Sequence, residues 1–109
     1  MNVQVEEKGE TTIVHLRGDL DIGNSDRARK EILSLLEAGD KKRFIIDLSQ
    51  VRYVDSTGVA TLVNALKVSR DKHVELALAG VNGTVKEVLG LSRLIKIFDI
   101  IDGERSEPK

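Results

Sequence analysis

Residues 43–66 read R-F-I-I-D-L-S-Q-V-R-Y-V-D-S-T-G-V-A-T-L-V-N-A-L, and the succession of patterns within them decides the fold. Phe44-Ile45-Ile46-Asp47-Leu48 is a short, nearly continuous apolar run led by Lys41-Lys42-Arg43. That is the pattern of a strand covered on both faces in a parallel sheet. Beyond V-D-S-T-G-V (Val54 to Val59), the residues Val59, Leu62, Val63, Ala65 and Leu66 form a helical stripe that runs to about Arg70. A central strand followed by an amphipathic helix is the pattern of an α/β protein.

Working outward, Val3 and Val5 alternate with polar neighbours, and T-T-I-V-H-L-R alternates again after Lys8-Gly9-Glu10, which predicts a hairpin. The period then changes. Ala28, Ile32, Leu35 and Leu36 fall at helical spacing, with Asn24 or Ser25 as N-cap and Gly39 as a C-terminal stop. Downstream, Val74, Leu76 and Leu78 alternate in a strand ending at Gly80. Asn82-Gly83-Thr84 caps a short helix carrying Val85, Val88 and Leu89, which Gly90 ends or kinks, and a last apolar piece spans Ile97 to Ile101. The predicted order is ββαβαβαβ. It implies right-handed crossovers and a single α/β domain over residues 1–102, with a mixed, mostly parallel sheet of four to five strands and helices covering mainly one face. Residues 103–109 are expected to form a disordered tail.

Composition narrows the function. A chain of 109 residues is one domain by size, and 17 Lys+Arg against 18 Asp+Glu give a net charge of -1 with no run of five like charges. Direct nucleic-acid binding needs a concentrated basic face, so it is not expected. The chain has no cysteine, which removes disulfides and thiolate chemistry, and 3% aromatic content argues against a base-stacking platform. Met1 to Glu10 does not resemble a signal peptide, and no apolar run approaches the roughly 18 residues of a membrane span. A cytoplasmic location without membrane insertion is the expectation.

His15 lies within one strand pattern and His73 opens another, with no acidic partner at ligand spacing, so neither is given a catalytic or metal role. G-x-x-x-x-G-K, G-x-G-x-x-G and G-x-S-x-G motifs are absent. Asp55-Ser56-Thr57-Gly58 differs from an acid-protease loop by one extra residue and sits at a strand-to-helix junction. G-D-L-D-I-G (Gly18 to Gly23) has paired acids like a magnesium phosphatase, without the later lysine and acidic elements. No catalytic residue, metal or cofactor is therefore expected. Two readings of V-D-S-T-G-V remain. Asp55 or Ser56 is an N-cap, with Gly58 allowing close approach of another surface. Alternatively a hydroxyl there takes a phosphate, which the positive end of the helix dipole tolerates without unfolding the domain.

From about Val3 to Ile101 the sequence resembles the STAS domains, and within them the bacterial anti-sigma factor antagonists. The resemblance is carried by G-D-L-D, F-I-I-D-L, V-R-Y-V-D-S-T-G-V and L-A-L-A-G-V-N-G-T-V-K-E-V-L, followed by L-S-R-L-I-K-I-F. It implies a non-enzymatic, partner-switching module of transcription regulation and signal transduction. In that family the unphosphorylated antagonist binds an anti-sigma factor that is also a serine kinase, phosphorylation inactivates it, and a phosphoserine phosphatase resets the cycle. Carried onto this chain, Ser56 is the acceptor and Thr57 a second candidate. By the same resemblance Asp21 lies near the acceptor and helps in kinase recognition or phosphorylation, and Asp55 and Gly58 shape the loop; from the residues themselves, Val59 and the exposed side of the helix that follows are expected docking surface. Thr57 and V-A-T-L-V-N-A-L resemble another branch equally: STAS subunits that bind the ATPase of an ABC-type lipid transport complex without a phosphorylation cycle.

Overall fold

The computed structural model describes residues 1–101. Its elements are β1 (Asn2–Lys8), β2 (Thr11–Leu20), α1 (Ser25–Ala38), β3 (Arg43–Val54), α2 (Ser56–Asp71), β4 (Glu75–Ala79), α3 (Gly83–Leu91), a 3₁₀ turn (Leu94–Lys96) and β5 (Asp99–Ile101). The five strands lie in sequence order in one sheet. β1 and β2 are antiparallel, and every later pairing is parallel. The α/β class, the ββαβαβαβ order and the mostly parallel sheet thus agree with the sequence reading, whose tail at 103–109 lies outside the described residues.

Because each crossover advances one strand in the same direction and takes the right-handed sense, all three helices fall on one face of the sheet. The core shows it. Val14, Leu16, Phe44, Ile46, Leu48, Leu76 and Leu78 from the sheet form one buried cluster with Ala28, Ile32 and Leu36 of α1, Leu62 and Leu66 of α2, and Val85 and Leu89 of α3. The alternate residues Ile13, Ile45, Ala77 and Ala79 form a second, smaller cluster on the opposite face. The strand period of two therefore sorts F-I-I-D-L onto both faces, as its continuous apolar character requires.

β3 is longer than that apolar run. His15 pairs with Asp47 but Arg17 with Gln50, and Gly18 pairs with Val51 but Asp19 with Tyr53. At each step β3 carries one residue more than β2, so two bulges spread its inward positions from a spacing of two to a spacing of three: Leu48, Val51 and Val54. The strand looks finished at Leu48 because its period changes there, although it still pairs with β2. Gly18, at φ 115, follows β2 through this irregular stretch.

Smaller differences concern the helix ends. Gly39 stops α1 in the left-handed conformation as expected, at φ 66, but Asn24 precedes α1 without a side-chain cap bond. The Asn82 side chain donates back to the Gly80 carbonyl at 2.7 Å instead of capping α3. α3 runs through Gly90 to Leu91, and β5 begins at Asp99 instead of Ile97.

Ile46 is fully enclosed at the centre of the sheet, whereas Val5 on the edge strand is 41% exposed. Ile46→Ala is expected to lower stability by about 2–5 kcal/mol. Val5→Ala should change it by about 0.5 kcal/mol or less. Urea denaturation of the two variants checks the contrast.

Candidate functional site

Where β3 ends, Asp55 takes an extended conformation (φ −111, ψ −171) and α2 starts at Ser56. The Gly58 N–H donates to Asp55 Oδ1 at 3.0 Å, and the Ile22 N–H donates to Asp55 Oδ2 at 3.1 Å. One carboxylate thus caps α2 and ties it to the β2–α1 loop, whose partner residues are 33 positions away. The Gly58 N–H and, less strongly, those of Ile22 and Thr57 hold the Asp55 carboxyl below the usual carboxylate range, against a smaller opposing effect of burial. Asp55 is the N-cap that the sequence offered as one of two.

Gly58 is buried for a steric reason. A methyl group there would collide with the Leu20 carbonyl oxygen and stand 2.6 Å from Val54 Cγ2. That same carbonyl accepts from the Asp55 N–H at 3.3 Å. The surface that approaches the first turn of α2 is therefore the chain's own, the end of β2. Segments G-D-L-D-I-G and V-D-S-T-G-V, apart in sequence, meet through Leu20 and Ile22.

Asp21 sits between those two residues, with its hydrogen bonds inside its own turn. Its Oδ1 accepts from the Gly23 N–H and from Asn24 Nδ2, both at 3.1 Å, and its carbonyl accepts from the N–H groups of Asn24 and Ser25. Ser56 is exposed and Thr57 half-buried, with the Thr57 carbonyl accepting from Thr61 Oγ1 at 3.2 Å. Val59 is 9% exposed, so it forms floor more than outer surface.

That floor belongs to an apolar groove of about 370 Å³ between α2 and α3, lined by Ser56, Val59, Val88, Leu91 and Ser92. Leu91 stands at its lip, 88% exposed, and Ile22 on the neighbouring loop is 79% exposed. The α3 side of the groove was not foreseen. Leu91 falls after Gly90 and outside the Val85–Leu89 stripe, and an apolar residue off the buried stripe is the signal that marks it. The two histidines lie elsewhere: His15 on the helix-free face, bonded to Asp47 and Glu6, and His73 exposed after α2 at φ 60. Among the described residues no group of His, Asp and Glu side chains is arranged to hold a metal ion, and no helix is long and apolar enough to cross a membrane.

The sequence matches the STAS domain family over residues 2–106. The chain belongs to that family. It is 30% identical over 106 residues to an anti-sigma F factor antagonist of Paenibacillus polymyxa, covering 95% of this chain and 91% of that one. It is 32% identical over 110 residues to an anti-sigma-B factor antagonist of Listeria monocytogenes, covering 95% of each. Among solved structures, the phosphorylated form of the Bacillus cell-fate determinant SpoIIAA superposes with a TM-score of 0.76 at 21% identity, over 97% of this chain and 95% of that one. At that identity the likeness is one of fold.

Two predictions come from this loop of the STAS domain. Gly58→Ala, which drives a methyl into a backbone carbonyl, should cost on the order of 3 kcal/mol by chemical denaturation. Ser56→Ala, next to it but exposed, should stay within about 0.5 kcal/mol of wild type. The Asp55 carboxyl is lowered on folding, so its contribution is complete above the ordinary carboxylate value of about 3.9 and is lost as pH falls through the folded value. Asp55→Asn replaces one acceptor oxygen with a donor and should lower the thermal midpoint at pH 7. Differential scanning calorimetry across the acid range should show that gap closing as pH falls.

Proposed function

We propose that this STAS domain is a non-enzymatic anti-sigma factor antagonist, and that its state is written on Ser56. In the unphosphorylated form it binds an anti-sigma factor that is also a serine kinase. The kinase joins Ser56 Oγ to the γ-phosphorus of ATP, the bond from that phosphorus to the β–γ bridging oxygen breaks, ADP leaves, and a kinase base takes the hydroxyl proton. A phosphoserine phosphatase returns the hydroxyl by hydrolysis. The antagonist itself holds no cofactor and works in the cytoplasm.

The observation that carries this reading is the position of Ser56: exposed, first residue of α2, and on the wall of the apolar groove. Thr57 is the less accessible hydroxyl of the pair. A phosphate on Ser56 lies at the positive end of a 16-residue helix, where the free protein accommodates it. In a complex the situation reverses. An apolar partner surface laid into the groove would have to desolvate about −1.5 to −2 charges beside the Asp55 carboxylate. A penalty on the order of 3 to 5 kcal/mol lowers affinity by about two to nearly four orders of magnitude. Ile22, Val59 and Leu91 supply the apolar docking surface in this reading, and Asp21 shapes the loop beside the acceptor.

Wild type, Ser56→Ala, Ser56→Asp and Leu91→Ala proteins are to be used as baits in cell extract, with mass spectrometry of the retained proteins and of Ser56. An ATP-binding serine kinase should be held by wild type and Ser56→Ala, weakened by Leu91→Ala, and lost with Ser56→Asp. Leu91→Ala should leave the urea midpoint unchanged, because the side chain is exposed. A transporter ATPase retained equally by all four proteins would replace this reading with that of an ABC-associated subunit.

A further inference from the structure

The face of the sheet opposite the helices carries a polar cleft of about 400 Å³, lined by residues that include Glu6, His15, Arg17, Asp47 and Ser49. His15 is at its centre. Its Nδ1 lies 2.7 Å from Asp47 Oδ2 and its Nε2 lies 2.9 Å from Glu6 Oε1. An ionised carboxylate only accepts hydrogen bonds, and a neutral imidazole has a single N–H to give. With both carboxyls ionised, the two contacts on one ring require protons on both ring nitrogens. Asp47 is buried at 4% exposure, so a cation against it offsets the cost of enclosing its charge.

The other oxygen of Asp47 serves the backbone. Oδ1 accepts the Ser49 N–H at 3.0 Å, and Ser49 lies in the first bulge of β3, where the ladder to β2 slips by one residue. The backbone of Ser49 is packed closely, since a methyl on Gly80 would stand 2.6 Å from its nitrogen. Edge strand β1, through Glu6, and the irregular stretch of β3, through Asp47, are thus linked across a single ring on β2.

We propose that Glu6, His15 and Asp47 form a proton-dependent clamp, in which an imidazolium held between two carboxylates fixes the edge strand and the β3 bulge and lets go as the pH rises. Among the described residues the charged groups facing the ring are Glu6 from β1, with Lys8 behind it at 3.4 Å, Arg17 two places along β2, and Asp47 from β3; β4 presents Ala77 and Ala79. The hydrogen bond from His15 is also the largest influence holding the Glu6 carboxyl below its usual range. For a base whose proton is retained on folding, the stabilisation is complete below the ordinary histidine value of about 6.5 and is lost as pH rises through the folded value. The clamp is independent of any phosphorylation of Ser56.

The chain has two histidines, so His73→Gln leaves His15 as the sole ring to observe by long-range proton–nitrogen NMR. The imidazolium shifts at both ring nitrogens of His15 should be lost with a midpoint above the ordinary histidine value of about 6.5. The backbone amide of Ser49 should move with the same midpoint. Glu6→Gln, on an exposed edge strand, should lower that midpoint by roughly half a pH unit or more. A His15 midpoint at or below about 6.5, a Ser49 amide that does not follow the ring, or a midpoint unmoved by Glu6→Gln would each overturn the clamp.

Discussion

The Asp55 carboxylate, shared between the Gly58 and Ile22 N–H groups, is the interaction on which the rest of this site depends. It sets the direction in which α2 leaves β3, and in the same stroke it brings the β2–α1 loop to that helix. Removing a methyl group at position 58 is the matching steric condition, because only a glycine lets the Leu20 carbonyl close against the first turn. Ser56 is exposed as a consequence. It follows the cap directly, and the closely packed side of the turn is taken by Gly58 and Val59.

The electrostatics of that corner are finely balanced. The positive end of the α2 dipole attracts an anion, while the fixed charge of Asp55 beside it repels a second one. In the free protein, water screens the repulsion and the helix end remains hospitable. In a closed interface both the screening and the hydration are lost, so a change of charge at Ser56 weighs far more on association than on folding. The apolar groove sharpens this difference, since it offers a partner a dry surface next to the residue that the proposed cycle makes dianionic.

How legible all this was depends on which periodicities survive. The helical stripe of α2 and the continuous run F-I-I-D-L were plain in the sequence, and with them the class and order of the fold. The second half of β3 was not, because its two bulges move the inward residues to Leu48, Val51 and Val54, a spacing that matches neither strand nor helix. The need for a small residue at 58 could be read, but not that the Leu20 backbone imposes it. Gly90 reads as an end or a kink of α3, so Leu91 falls outside the predicted stripe and the α3 wall of the groove stays hidden in the sequence. His15 shows no acid at ligand spacing in the sequence, and its partners, nine and 32 residues away, become visible only once strand register is known.

Asp21 and Asp55, acids that the sequence singles out, share a structural task with Asp47. Regular ladders leave N–H groups without partners wherever they bend or stop, and three such breaks at this end of the sheet are met by an aspartate: Asp47 by the Ser49 bulge, Asp21 in the turn before α1, and Asp55 at the start of α2. A short ionised acceptor suits these places, because it reaches a backbone N–H two or three residues on and forms a stronger bond than a neutral one. A sheet end built of irregular backbone can therefore be held in one shape by side chains whose charge is available to respond. At Asp47 the charge is answered by a proton on His15. At Asp55 it stands beside the Ser56 hydroxyl, the proposed acceptor of a second charge, so in this reading the same chemistry that orders the loop also makes it sensitive to modification.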